Sequence, residues 1–245
     1  MDLTSKVCDS AFCTKQSKSE CVNDNDAYLD PNIVALGDSF TSAGAVGGAS
    51  KSYPIVAGKI LGWPAVNYAK GGSVLKDIPG QLKKAEAALT NATHVIFTTG
   101  GNNVGLVQSF AQIMLLNDLA GASKRVKDVE AELVSTYHLI KAAAKPTAKI
   151  YAVAYVDFIS VSNKIPNEAS CHKLMDILNE TVKKAAQTAG IRFIEEVKTA
   201  FRGHEMFSAE PFADSLFASS NAAHPNAKGH AKMGEVVAAR LLADQ

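Results

Sequence analysis

The sequence of 245 residues has no apolar run long enough to cross a bilayer, so stable membrane insertion is not expected. It has no excess of either charge. Twenty-five Lys and Arg stand against 24 Asp and Glu, a formal net charge of +1. Such a chain has no global field to recruit nucleic acid, and no basic stripe or block of like charge makes up for that. Internal repeats and low-complexity tracts are missing. Cysteine is scarce, with four in all, and Cys-x-x-Cys spacing is absent, which argues against a zinc knuckle. Asp24, Asp26 and Asp30 are spaced like calcium ligands but lack the glycine that the loop needs. No metal or cofactor is expected. The first residues, Met1 to Lys6, lack the apolar core of a signal peptide, so either the protein is intracellular or this is a mature form with an added Met.

The cysteines bear on that choice. Cys8, Cys13 and Cys21 crowd a polar, lysine-rich leader, and Cys171 lies far from them. Four cysteines allow three pairings, and spacing does not choose among them. A leader with so few apolar residues cannot hold itself down, so disulfides would explain it, and the expected location is extracellular. Asn91-Ala92-Thr93 and Asn179-Glu180-Thr181 are glycosylation sequons of the kind chance supplies.

What is present is ordinary globular composition, 47% hydrophobic and 20% charged. The length suits one domain over 31–245 behind an extension over 1–30. Apolar runs at 33–36, 66–68, 95–98, 150–155 and 192–194 read as buried parallel strands. Helical periodicity falls between them at 53–61, 79–89, 123–144, 169–189 and 226–243. Alternating strand and helix predicts an α/β protein, a parallel sheet with helices on both faces. Ligands then bind at the carboxyl ends of the strands.

Four unusual loops fall at that edge. Gly37-Asp38-Ser39 follows the first strand, where a sharp turn would expose the Ser39 hydroxyl beside unpaired N–H groups; a plain turn fits equally. The nearby Gly44-to-Ser52 stretch is a poor phosphate loop, because Ser50 stands where a glycine must precede the Lys-Ser pair. Lys70-Gly71-Gly72-Ser73 follows the second strand and either turns an inward N–H towards a ligand or is only a tight turn. Gly100-Gly101-Asn102-Asn103 follows the third, where an Asn amide either donates to a developing oxyanion or forms an Asx-turn. The fourth, Asn221-Ala222-Ala223-His224-Pro225-Asn226, places a histidine at the mouth of the last helix. Among the other histidines, His204 is the one competitor for a catalytic role.

In this order the loops resemble the SGNH hydrolases, the GDSL esterase/lipase family. Ser39 matches the nucleophile of the first block, Gly72 the oxyanion glycine of the second, Asn102 the oxyanion donor of the third and His224 the base of the fifth. The run from Phe201 to Glu205 is similar to the secreted esterase branch. The resemblance implies a three-layer α/β/α sandwich with a mostly parallel five-stranded sheet, flavodoxin-like in order. It also implies hydrolysis of a carboxylic ester, of a small molecule, lipid or glycan, through an acyl-enzyme on Ser39. Two positions depart from the pattern: Asn103 and Asn221 stand where the family usually carries Asp. The orienter of His224 is therefore open between an Asn221 side-chain or backbone oxygen, the favoured expectation, and Asp214 or Glu210 reaching in. The same replacements fit an alternative, a degenerate fold that binds a ligand or glycan without turnover. The apolar segment 104–116 and Phe207, Phe212 and Phe217 are candidates for an acyl pocket, or else core.

Overall fold

The computed structural model describes residues 30–218 and 221–245. The leader cysteines Cys8, Cys13 and Cys21, and Asp24 and Asp26, lie outside the described residues. Five parallel strands form one sheet: β1 (Ile33–Gly37), β2 (Ala65–Asn67), β3 (His94–Thr98), β4 (Lys149–Val153) and β5 (Arg192–Ile194), in the order β2-β1-β3-β4-β5. All five residues of β1 and of β3 are buried, as strands covered on both faces must be. The chain leaves β1 towards β2 and later returns to β3 on the other side. That reversal opens a crevice beyond the carboxyl ends of β1 and β3, where a ligand binds in folds of this kind.

The helices are α1 (Ser39–Ser42), α2 (Tyr53–Leu61), α3 (Ile78–Leu89), α4 (Gly101–Val104), α5 (Leu106–Leu116), α6 (Leu119–Asp128), α7 (Glu130–Ala143), α8 (Glu168–Ala189) and α9 (Ala227–Ala243). α2 packs on α9, while α7 packs on α3 and α8. α8 shows why its sequence is helical. Cys171, Leu174, Leu178, Val182, Ala185 and Ala189 recur at three- and four-residue steps and are buried. Gly190, at φ 64°, ends it with its N–H on the carbonyls of Ala186 and Gln187. Leu178→Ala would cost about 2–5 kcal/mol by the usual cavity penalty. The Cys171 thiol on this face is free, and burial pushes it up to about 11, which disfavours the thiolate.

One expected helix is divided, and the apolar segment is interrupted near its start. The periodicity over 123–144 belongs to α6 and α7, which join at Val129. Val126, Val129 and Leu133 keep helical spacing across the joint, so the break leaves no mark in the pattern. The segment over 104–116 breaks at Gly105, in the left-handed region at φ 62°, between α4 and α5. Among the described residues no helix is long and apolar enough to cross a membrane.

Candidate active site

The first loop is built on a glycine. Gly37 ends β1 at φ 126°, and a Cβ placed there would lie 2.2 Å from the Thr98 carbonyl oxygen of β3. Any side chain would push the two strands apart just where the crevice begins. The Gln81 amide clamps the same residue, accepting from the Gly37 N–H and donating to its carbonyl, both at 2.8 Å. Asp38 then caps α1, its Oδ1 accepting from the Phe40 N–H at 2.9 Å. The Tyr155 hydroxyl donates to Asp38 Oδ2 at 2.5 Å and accepts from the Gly101 N–H at 2.7 Å. Asp38 and Tyr155 are buried. Burial pushes the Asp38 carboxyl up to about 7, against the pull of the Tyr155 and Phe40 hydrogen bonds. This chain of polar groups ties the first loop to the third and leaves Ser39 half-buried between them.

The His224 loop is held mostly by backbone. Asn226 caps α9, accepting from the Gly229 N–H at 3.1 Å, and its Nδ2 donates to the Pro211 carbonyl at 2.7 Å. The Asp214 N–H donates to the His224 carbonyl at 3.0 Å, and the His224 N–H donates to the Asn221 carbonyl at 3.1 Å. Ala223 between them is left-handed, at φ 63°. This turn brings His224 Nε2 to 2.6 Å from Ser39 Oγ and Nδ1 to 2.6 Å from the Ala222 carbonyl oxygen. A carbonyl only accepts, so the ring proton sits on Nδ1 and the lone pair of Nε2 faces the Ser39 hydroxyl. The Phe40 ring packs 5.2 Å from the imidazole, centroid to centroid. Burial holds His224 below the usual histidine value, with the Ala222 carbonyl and the Asp214 charge pulling the other way.

The expectation that an Asn221 oxygen orients His224 is corrected here. The oxygen that meets Nδ1 belongs to Ala222, one residue later, because the left-handed turn at Ala223 folds that carbonyl back under the ring. The Asn221 carbonyl accepts from the His224 backbone instead, and its Nδ2 donates to Asp214 Oδ2 at 2.9 Å and to the Pro225 carbonyl at 3.3 Å. Glu210 pairs with Lys228. His204 lies away from this dyad, its Nδ1 on the Glu210 carbonyl at 2.9 Å and its ring stacked on Phe212.

Asn102 and Gly72 are divided between adjoining clefts. Ser39, Phe40, Asn102, Leu106, Val107 and His224 line one of about 200 Å³. Gly72 lines the next one, and the Asn102 side chain bridges the two by donating to the Ser73 carbonyl at 2.8 Å. Asn103 has a scaffolding place, with Oδ1 accepting from the Leu75 N–H at 2.8 Å and Nδ2 donating to Glu132 at 3.1 Å. Of the apolar candidates, Leu106 and Val107 reach the cleft, whereas Phe110 and Ile113 are core and Phe207 and Phe217 stack on each other, exposed. Sequence reasoning missed Gln81, Tyr155 and Ala222. A tyrosine at the carboxyl end of a predicted strand was a signal for the second; a backbone carbonyl carries none. Among the described residues no group of three or more His, Cys, Asp or Glu is placed to hold a metal ion.

Comparison with known proteins bears on the family and the fold. The model of the GDSL-like lipase/acylhydrolase family matches residues 35–232. A lipase of Streptomyces rimosus is 26% identical over 232 residues, 82% of this chain and 83% of its own. Lipase 1 of Streptomyces coelicolor is 26% identical over 227 residues, 80% of this chain and 81% of its own. Among solved structures, the extracellular lipase of S. rimosus superposes with a TM-score of 0.71 at 24% identity, covering 86% of this chain and 99% of its own. Phospholipase A1 of Streptomyces albidoflavus gives 0.69 at 23%, covering 86% and 98%. At these identities the superpositions establish the fold.

Proposed function

Because this chain belongs to the GDSL-like lipase/acylhydrolase family, whose members hydrolyse esters, we propose that it cleaves a carboxylic ester through an acyl-enzyme on Ser39, with His224 as base. One observation carries the reading: the 2.6 Å contact between Ser39 Oγ and His224 Nε2, with Nδ1 committed to the Ala222 carbonyl. His224 takes the hydroxyl proton as Ser39 Oγ bonds to the ester carbonyl carbon. The imidazolium then protonates the departing alcohol. Water, activated by the same nitrogen, attacks the acyl-enzyme, and Ser39 recovers its proton as the acid leaves.

The tetrahedral oxyanion needs donors that are already in place. The Ser39 N–H and the Asn102 amide are two candidates, both in the Ser39 cleft. Asn102 Nδ2 spends one hydrogen on the Ser73 carbonyl, and the same side chain belongs to a residue that lines the cleft, where the second hydrogen would serve the oxyanion. Gly72 is the third candidate, on the loop that this hydrogen bond braces. Each donor is worth about 3 kcal/mol of barrier in comparable sites. The dyad also favours turnover over the alternative of a binding-only fold, because the two Asn replacements fall on scaffolding positions.

Secretion is proposed with the activity. The leader cysteines suit an oxidising compartment, and the S. rimosus relative is described as extracellular. A fluorophosphonate probe tests the chemistry directly. Labelling of the wild type that vanishes in Ser39→Ala supports an activated serine. A wild type that takes no label overturns it.

A further inference from the structure

On α3 the apolar residues Ile78, Ala85 and Leu89 recur at helical steps and are buried, and Gln81 lies on the same stripe, buried with them. A primary amide on a core-facing stripe is costly unless its polar atoms are bonded. Here both amide hydrogens are used. Oε1 accepts from the Gly37 N–H and Nε2 donates to the Gly37 carbonyl, both at 2.8 Å, while Nε2 also donates to Ser73 Oγ at 3.1 Å. Ser73 is buried too. One side chain therefore spans two loops, because Gly37 leads into Ser39 and Ser73 follows Gly72.

The turn from Lys70 to Ser73 is fastened at both ends to the same glycine. Its first end is tied directly, with the Lys70 N–H donating to the Gly37 carbonyl at 3.1 Å. Its last end is tied through Gln81, and the Ser73 N–H closes the turn on the Lys70 carbonyl at 3.2 Å. Gly71 and Gly72 carry no side chain that could anchor them, so these ties set where the Gly72 N–H stands. The Ser73 carbonyl accepts from Asn102 Nδ2 at 2.8 Å, which extends the connection to the third loop. The imidazole of His224 is held separately, with Nε2 on Ser39 and Nδ1 on the Ala222 carbonyl.

We propose that Gln81 is a positioning residue for the oxyanion: it sets the spacing of the Ser39 N–H, the Gly72 N–H and the Asn102 amide without touching the substrate. The assignment rests on the esterase reading of Ser39 and adds to it a residue of α3, outside the four loops of the motif order. Donors act from about 2.7–3.1 Å on the oxygen whose charge develops, so a small displacement is felt in the transition state and hardly in the bound ester. Loss of Gln81 should lower kcat and spare KM. It should also spare proton transfer from Ser39 to His224, which has its own supports.

Gln81→Met keeps the length of the side chain and removes the amide. On nitrophenyl butyrate it should lower kcat about 30-fold, less than the loss of a donor outright, because the donors are displaced and not removed. KM should stay within about twofold. Inhibition by butylboronic acid, which forms a tetrahedral anion on an activated serine, should weaken by about the same factor as kcat. The acid limb of the kcat/KM profile should not move, since His224 is untouched. Leu89→Ala, at the far end of the same helix, is the control for stability: it should lower the urea midpoint and leave kcat within about twofold. If Gln81→Met does not fold, Ser73→Ala decides, because it leaves the clamp on Gly37 and cuts the tie to the second loop. Its kcat and boronate affinity should each fall about fivefold. Unchanged kcat in the folded variant, a loss confined to KM, a boronate affinity that does not follow kcat, or an equal kcat loss in Leu89→Ala would overturn the positioning role and leave the esterase reading standing. A wild type that neither hydrolyses nitrophenyl butyrate nor takes the fluorophosphonate label would overturn both.

Discussion

Replacing Asn221 by Asp restores the residue type the family usually carries three positions before the histidine. If that position oriented the ring, the change should raise activity. The structure argues for the reverse. Asn221 is buried and its Nδ2 donates to the Asp214 carboxylate at 2.9 Å. Asn221→Asp turns this donor into an acceptor and sets two carboxylates face to face. Loss of a hydrogen bond to a charged acceptor costs about 1.5–3 kcal/mol. Two like charges about 4 Å apart add roughly 4 kcal/mol at an effective dielectric constant of 20.

The protein can escape the repulsion by keeping one proton on the pair, as paired carboxylates do. That route is cheap in acid and becomes dearer by about 1.4 kcal/mol per pH unit above the unfolded carboxylate range. The sign follows. A folded pair with a raised value is fully stable below the unfolded value and loses stability as pH rises through the folded one. Asn221→Asp should therefore be close to wild type at pH 4.5 and destabilised by about 5–6 kcal/mol at pH 8, where keeping the proton costs about as much as ionising both groups. Urea unfolding at the two pH values measures the difference, with kcat/KM on a nitrophenyl ester alongside. A variant with wild-type stability at pH 8 and a higher rate would refute the assignment of His224 orientation to Ala222.

Other tests are simpler. Since burial holds His224 below the ordinary histidine value, the acid limb of the kcat/KM profile should lie below pH 6.5, with activity lost as pH falls through it and His224 takes up a proton; a limb at or above 6.5 counts against it as base. Tyr155→Phe strands the Gly101 N–H and one Asp38 oxygen in the interior, so urea unfolding should show a loss of about 1–3 kcal/mol or more, and unchanged stability would mean the chain of hydrogen bonds contributes nothing. Val107→Trp should block the cleft of about 200 Å³, reducing kcat/KM for octanoyl more than for acetyl esters; equal effects would place the acyl chain elsewhere.

Much of the architecture was legible because it obeys local rules. Buried parallel strands read as short apolar runs, and α2 covers the expected 53–61, with Pro54 in its first turn and Gly62 just past its end. The pairing of Ser39 with His224 was expected from motif order, although 185 residues separate them. What escaped was of two kinds. Breaks such as Val129 and Gly105 leave helical spacing nearly intact on both sides. Contacts that depend on tertiary placement leave no local trace: Gln81 clamping Gly37, Tyr155 reaching Asp38, and the second sequon. Asn179 looked equivalent to Asn91, yet its amide is buried and exchanges both hydrogen bonds with the Tyr155 backbone, while Asn91 is exposed.

The carbonyl under the imidazole has a consequence for how this enzyme can change over time. A carboxylate in that place could be deleted by one codon change, and its charge would come and go with acidity. A main-chain oxygen survives every substitution at its own position that keeps the bend, and it cannot be titrated. Selection at residue 222 should act on backbone shape, leaving the side chain free to drift, while the neighbours that hold the bend carry the constraint.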